Sequence, residues 1–202
     1  MGSNGGFVAA DRITDIHLVW CIAGVSFDTS LTNSRLNLNL TMTNLFLDIS
    51  LSQQRCQLIR DDKVLFSASV STALNGPGEQ EGSGCTPRGW HIIRACIGEG
   101  QPVNTVFRGR RPTGEIFSPL LAKQFPDKDW ILTRIIWLSG LELGRNRLGN
   151  VDTMRRYIYI HGTPDSEPMG IAKSHGCIRM HNQDLLTLFD LVKPGLKVLI
   201  HE

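Results

Sequence analysis

From Leu45 onward, side-chain character changes at nearly every step, and that two-residue period limits the fold more than any other feature of the chain. Leu45, Leu47, Ile49 and Leu51 alternate with Phe46, Asp48 and Ser50, the pattern of a strand with one buried face. Arg55 to Ile59 reads as a second strand, and a turn at Asp61-Asp62-Lys63 leads into Val64, Phe66, Ala68 and Val70, again at every second position. Together these predict a β-meander. Asn75 to Gly84 is dense in glycine and contains Pro77, which predicts a mobile surface loop. Gly89 to Ile97, Ile131 to Leu138, Arg156 to Ile160 and Leu196 to Ile200 read as further strands. Gly98 to Asp129 reads as the longest irregular stretch, a candidate lid or cleft wall carrying Arg108-Gly109-Arg110-Arg111-Pro112. Leu185, Leu186, Leu188, Phe189 and Val192 share one broad face of a helix that Asn182 is expected to cap and that stops before Pro194-Gly195. Many short strands, long loops and one helix predict a mainly β (α+β) domain.

At 202 residues and 41% apolar content the chain is long enough for one well-buried domain and a small appendage. The change of pattern divides it into an N-terminal extension, 1–41, and a functional domain, 42–202, with Met42 a candidate natural start. A net charge of +2 is too small to make nucleic acid or a membrane surface the main partner. The charge is unevenly placed, with 12 Lys/Arg against 7 Asp/Glu between Arg108 and Arg179. That basic half suits a carboxylate-bearing substrate, and it suits equally a set of solvated arginine loops. Five cysteines without paired spacing argue against a disulfide framework and fit a reducing compartment. No stretch has transmembrane length. The one candidate export signal, Ile16 to Phe27, follows Asp11, Arg12 and Asp15, the wrong charge balance for such a signal. The expected location is therefore the cytoplasm, or the periplasm if that stretch does act in export.

The chemistry concentrates between His161 and His181. His161-Gly162-Thr163 ends a predicted strand; a loop broken by Pro164, Pro168 and Gly170 follows; then come Ser174-His175-Gly176-Cys177-Ile178-Arg179-Met180-His181. A thiol is mostly protonated at neutral pH, and an imidazole within reach can accept its proton. If the loop returns Cys177 to His161, the pair is suited to acyl transfer. Gly176 leaves room for a substrate backbone, and amides near Gly176 and Cys177 can face an oxyanion. Two other readings stand beside this one. His161, His175, Cys177 and His181 are all possible zinc ligands, although no Cys-x-x-Cys pair accompanies them. Cys177 alone could also be an inert, packed thiol. His181 reads as a residue that leads into the helix, while His17, His91 and His201 read as structural.

With Thr86-Pro87-Arg88-Gly89-Trp90 upstream, these motifs resemble the signature of the YkuD-type L,D-transpeptidase family, over about Asn44 to Ile200. The resemblance implies a β-sandwich-like catalytic domain with a helix packed against it. It also implies a cysteine enzyme that attacks the bond between an L-centre and D-alanine in peptidoglycan stem peptides or muropeptides. Cys177 would then be the nucleophile and His161 the base, oriented by the Gly162 carbonyl, while His175 and the amides near Gly176 and Cys177 meet the oxyanion. Arg179 stands where the family often has asparagine; its implied role is to hold the motif loop or a substrate carboxylate. Ser174, Thr163, Arg134 and Trp137 complete the candidates for substrate contact. No cofactor or metal is implied. The acceptor is an amine for a wall cross-linking enzyme, or water for a cytoplasmic L,D-carboxypeptidase that trims muropeptides. A peptidoglycan-binding domain that keeps the fold without catalysis is the reading from another class, and a thiol no more reactive than free cysteine would favour it.

Overall fold

The computed structural model describes residues 44–126 and 128–202. The 1–41 extension, the Met42 start and the Ile16–Phe27 stretch lie outside the described residues. Asn44–Glu202 packs as one unit.

The expected meander is β1 (Leu45–Ser50), β2 (Arg55–Arg60) and β3 (Lys63–Ser71), paired antiparallel in sequence order. Asp61 and Asp62, at φ +46° and +65°, form the two-residue turn between β2 and β3. Such a turn needs positive φ at both positions, which short polar side chains tolerate. Next come β4 (Gly89–Ile97), β5 (Thr105–Arg108), β6 (Arg111–Ile116), α1 (Pro119–Gln124) and β7 (Leu132–Gly140). The chain ends with β8 (Tyr159–Gly162), β9 (Ile178–Met180), α2 (Asn182–Leu191) and β10 (Lys197–His201).

Hydrogen bonding runs β4-β10-β1-β2-β3-β9-β8-β7, and β7 pairs back onto β4, so eight strands close a ring from which the β5–β6 hairpin extends beside β7. This is a mostly β, sandwich-like domain with a helix near its C-terminus. Its interior takes alternate residues from the ring: Leu47, Ile49, Val70, Ile136, Ile160, Ile178, Met180 and Val198 are buried together, and Leu185 and Leu188 of α2 join them with Val192 just beyond it. The pleat then sends the intervening residues of β7, β8 and β9 to the outer face.

Several local expectations change. Gly98–Asp129 is not irregular, since it holds β5, β6 and α1. The 75–84 loop is fastened rather than loose. Gly78 N–H donates to the Thr86 carbonyl at 2.9 Å, and Arg156 donates to the carbonyls of Glu79 and Cys85 at 2.7 and 2.6 Å. Asn182 does not cap α2. His181 occupies the cap position, while the Asn182 amide donates to the Thr163 carbonyl at 2.9 Å and Asp165 Oδ1 at 3.0 Å. Cys56, Cys85, Cys96 and Cys177 are free thiols. Among the described residues no helix is long and apolar enough to cross a membrane.

Candidate active site

The parallel pairing of β8 with β9 builds the site. Ile160 faces Ile178 and His161 faces Arg179, which places Cys177, one residue before β9, opposite Tyr159. Ile160 and Ile178 point into the core, so by alternation Tyr159, His161, Cys177 and Arg179 share the outer face. Strand rise puts His161 about 7 Å beyond Tyr159 on that face. β8 begins at Tyr159, three residues later than the sequence pattern suggests, because Tyr157 turns the chain with φ +57°.

Loop bonds set the thiol. Ser174 Oγ donates to the Cys177 carbonyl at 2.5 Å and accepts from Gly176 N–H at 3.2 Å. Thr86 Oγ1 donates to the Gly176 carbonyl at 3.0 Å and accepts from Ala73 N–H at 3.0 Å. The Thr86-Pro87 segment is thus the brace of the Cys177 loop. Gly176 sits at φ +128°, and a Cβ there would come within 3.3 Å of the Cys85 carbonyl; glycine meets both demands.

Cys177 Sγ accepts from Tyr159 N–H and donates to the Tyr157 carbonyl, each at 3.4 Å. Cys177 is half-buried, and burial pushes the thiol up to about 12. The resting thiol is therefore protonated, and its hydrogen is held by Tyr157 rather than by His161.

His161 is buried on β8, and burial moves its pKa below the usual imidazole range. Its Nδ1 lies 2.8 Å from the Gly162 carbonyl. A carbonyl only accepts, so Nδ1 carries the proton and Nε2 of the neutral ring keeps a lone pair. Gly162 cannot be enlarged: a Cβ there would fall 2.6 Å from the Leu132 carbonyl.

Asp129 ties the remaining polar groups together. Its Oδ2 accepts from His175 Nδ1 at 3.0 Å and its Oδ1 from Arg179 at 2.7 Å. Burial opposes the Asp129 charge, yet the bonds from His175 and Arg179 prevail and hold its pKa below the usual carboxylate range. The His175 side chain is 80% exposed and Arg179 only 8%. Arg179 is therefore a buried support under the motif, reached also by Glu167 at 3.9 Å.

The other sequence candidates divide. Trp137 lies on the outer face beside Tyr159, their rings 6.2 Å apart. Arg134 does not join the site. It donates to the carbonyls of Gln101 and Thr133 and lies over Phe189 of α2, since alternation along β7 puts it on the face of Ile136 and α2, opposite Trp137 and Tyr159. Thr163 is buried, its carbonyl spent on Asn182. His181 Nε2 meets the Glu167 carbonyl at 3.3 Å, and His91 is held between Gly89 O and Thr153 Oγ1. The four residues weighed as zinc ligands thus face different partners, and among the described residues no group of three His, Cys, Asp or Glu is arranged to hold a metal.

Sequence reading missed Asp129, Tyr157, Tyr159 and Arg156. A cavity of about 460 Å³ is lined by Glu81, Gly82, Arg155, Arg156, Tyr157 and His175. The basic balance of the 108–179 segment was a signal for Arg155 and Arg156; nothing in the spacing marks Asp129.

Comparison with known proteins identifies the family and the fold. A family model described as YkuD, the L,D-transpeptidase catalytic domain, matches residues 45–200. The chain is similar to a Bacillus licheniformis protein named L,D-transpeptidase YkuD, 46% identical over 46 residues, 23% of this chain and 28% of that one. It is similar to a Bacillus subtilis protein named L,D-transpeptidase YqjB, 49% identical over 41 residues, 20% and 23% of the two chains. Among solved structures, L,D-transpeptidase 3 from Mycobacterium tuberculosis has TM-score 0.50 and 15% identity, covering 79% of this chain and 62% of that one. That last likeness is one of fold. The matched part spans under two thirds of each relative's length.

Proposed function

Because the chain belongs to the YkuD family of L,D-transpeptidase catalytic domains, we propose that it is a cysteine acyltransferase acting on peptidoglycan stem peptides. The observation that carries this reading is the β8–β9 register, which sets a protonated thiol and a neutral imidazole with a free Nε2 on one face.

In the proposed reaction, substrate draws the Cys177 S–H from the Tyr157 carbonyl to His161 Nε2. The sulfur bonds to the carbonyl carbon preceding D-alanine while His161 takes the proton. His161 then returns that proton to the departing amine, leaving a thioester on Cys177. An amine or water attacks the thioester, gives its proton to His161, and the thiol is restored as the acyl group leaves. Gly176 N–H is already used by Ser174, so the Cys177 amide is the oxyanion donor we assign. His175 can add a second from Nε2 only as the imidazolium, since Nδ1–H goes to Asp129. Losing one oxyanion donor typically costs about 100- to 1,000-fold in rate.

The acceptor decides between transpeptidase and L,D-carboxypeptidase. Mass spectrometry of a stem tetrapeptide incubated with the protein tests this, with and without an added D-amino acid and beside Cys177→Ala. Tripeptide formed only by the parent protein means hydrolysis, and exchange of the added D-amino acid means transpeptidation. Turnover that survives Cys177→Ala contradicts the reading.

A further inference from the structure

We propose that Arg156 is a positioning residue for Cys177: its guanidinium clamps the 78–85 segment to the chain that enters β8, and that segment leads into the brace of the Gly176-Cys177 loop. This rests on the acyl-transfer reading above and adds to it a residue that acts through the protein rather than on the substrate.

The clamped segment has little order of its own. Residues 75–85 include Gly76, Gly78, Gly82 and Gly84, lie outside the helices and strands, and turn with φ of +75°, +76° and +67° at Gly76, Gly82 and Gly84. A chain so rich in glycine loses much conformational entropy on ordering. Arg156 supplies the hold from outside. One terminal nitrogen donates to the carbonyls of Gly78 and Glu79 at 3.1 and 2.7 Å. The other donates to the Cys85 carbonyl at 2.6 Å and to Ser83 Oγ at 3.4 Å. Among the described residues no other arginine side chain bonds to more than two residues. A guanidinium can span such a set because its donors are fixed in a planar fork.

Both ends of the clamp lead to the thiol. At one end, the Cys85 carbonyl that Arg156 holds is the atom against which Gly176 packs, 3.3 Å from where a Cβ would stand. The next residue, Thr86, donates from Oγ1 to the Gly176 carbonyl at 3.0 Å. At the other end, Arg156 is joined to Tyr157, which turns at φ +57° and whose carbonyl accepts the Cys177 S–H at 3.4 Å. The sulfur and its loop are held from two sides, and one side chain ties those sides together. The cation also favours the thiolate that attack requires. Burial is the largest influence on the Cys177 pKa and raises it; the Tyr159 N–H lowers it, and of the charged groups facing the sulfur, Arg179 on β9 and Arg156 lower it while Asp129 raises it.

Hydrogen exchange on the full chain, comparing the parent with Arg156→Met and Arg156→Lys, tests the clamp. Backbone bonds of Gly78 with Thr86, Thr86 with Gly76 and Glu81 with Asn150 do not involve Arg156, so the segment keeps its path, and melting curves check each variant's fold. In Arg156→Met the amides of 174–177 should exchange about tenfold faster, although no side-chain bond of Arg156 reaches them, while those of β1 and β2 are unchanged. Turnover of the stem tetrapeptide should fall about 10- to 100-fold in kcat with KM unchanged. Lysine keeps the charge without the fork, so Arg156→Lys should exchange as fast as Arg156→Met. Unchanged exchange at 174–177 in Arg156→Met, full recovery in Arg156→Lys, or a loss confined to KM overturns the proposal. If exchange responds as expected and the parent protein turns over no tetrapeptide, the clamp stands and the acyl-transfer reading fails.

Discussion

Strands β7, β8 and β9 carry two faces of opposite character. On the inner face Ile136, Ile160, Ile178 and Met180 are wholly buried among aliphatic neighbours. On the outer face the intervening residues are Ile135, Trp137, Tyr159, His161, Cys177 and Arg179; Ile135 packs with Tyr159 and Phe107, while His161 and Cys177 bond to backbone carbonyls and Arg179 to Asp129. The same backbone supplies both, and a shift of one residue in register would exchange them. The inner face therefore fixes the chemistry indirectly: burial of Ile160 and Ile178 is what sets His161 and Cys177 on a common surface.

If the faces divide as described, changes on the outer one should remove activity and spare stability. Cys177→Ala should lower turnover of the tetrapeptide at least about 10,000-fold, while its thermal midpoint stays near that of the parent. A large loss of stability without loss of turnover would erase the distinction. On the inner face, Ile160→Ala should cost about 2–5 kcal/mol by denaturant unfolding, with activity per folded molecule kept. Inactivity of a fully folded Ile160→Ala protein would show that the faces are not separable.

Acid should act on buried imidazoles outside the site as well. His91 is buried and its pKa is lowered from 6.5 to about 4. A depressed imidazole contributes stability that is complete above its unfolded value of about 6.5 and is lost as pH falls toward the folded value. That window is worth about 3 kcal/mol, and His91→Gln should flatten the stability profile between pH 6.5 and 4. An unchanged profile would remove His91 as its source. The smallest effect belongs to the support beneath the outer face. Asp129→Asn loosens His175 and Arg179, and should reduce kcat/KM by about 10- to 100-fold through misplacement rather than lost chemistry. Because the Asp129 charge raises the His161 pKa against the larger effect of burial, the acid limb set by His161 should also move further below the usual imidazole range; an unmoved limb would remove Asp129 as an influence on the base.

The inner face was legible before the structure because burial writes itself as alternation. Leu45 to Leu51 and Val64 to Val70 showed it, and the apolar face of α2 showed the helical equivalent. Strand β6 and helix α1 were not legible, because every residue of β6 is exposed and α1 buries none; β5 has only four residues, three of them buried in a row, and shows no alternation. On the outer face, His161 and Cys177 were marked by their motif. Asp129 and Tyr159 were not, since each acquires its role from a residue 46 or 18 positions away through strand register. Asn182 shows the converse failure. It looks like a cap, yet its amide is drawn to Thr163 and Asp165 by tertiary contacts that local pattern does not encode.

The central claim is that the outer face forms a thioester on Cys177. Rapid acid quench of the protein with the stem tetrapeptide, followed by intact mass and peptide mapping, measures this directly. A covalent adduct on Cys177 with the mass of the peptide acyl group less D-alanine, missing in Cys177→Ala and formed far more slowly in His161→Gln, is the predicted result. Product formation with no adduct on Cys177, at an undiminished rate in Cys177→Ala, would contradict it.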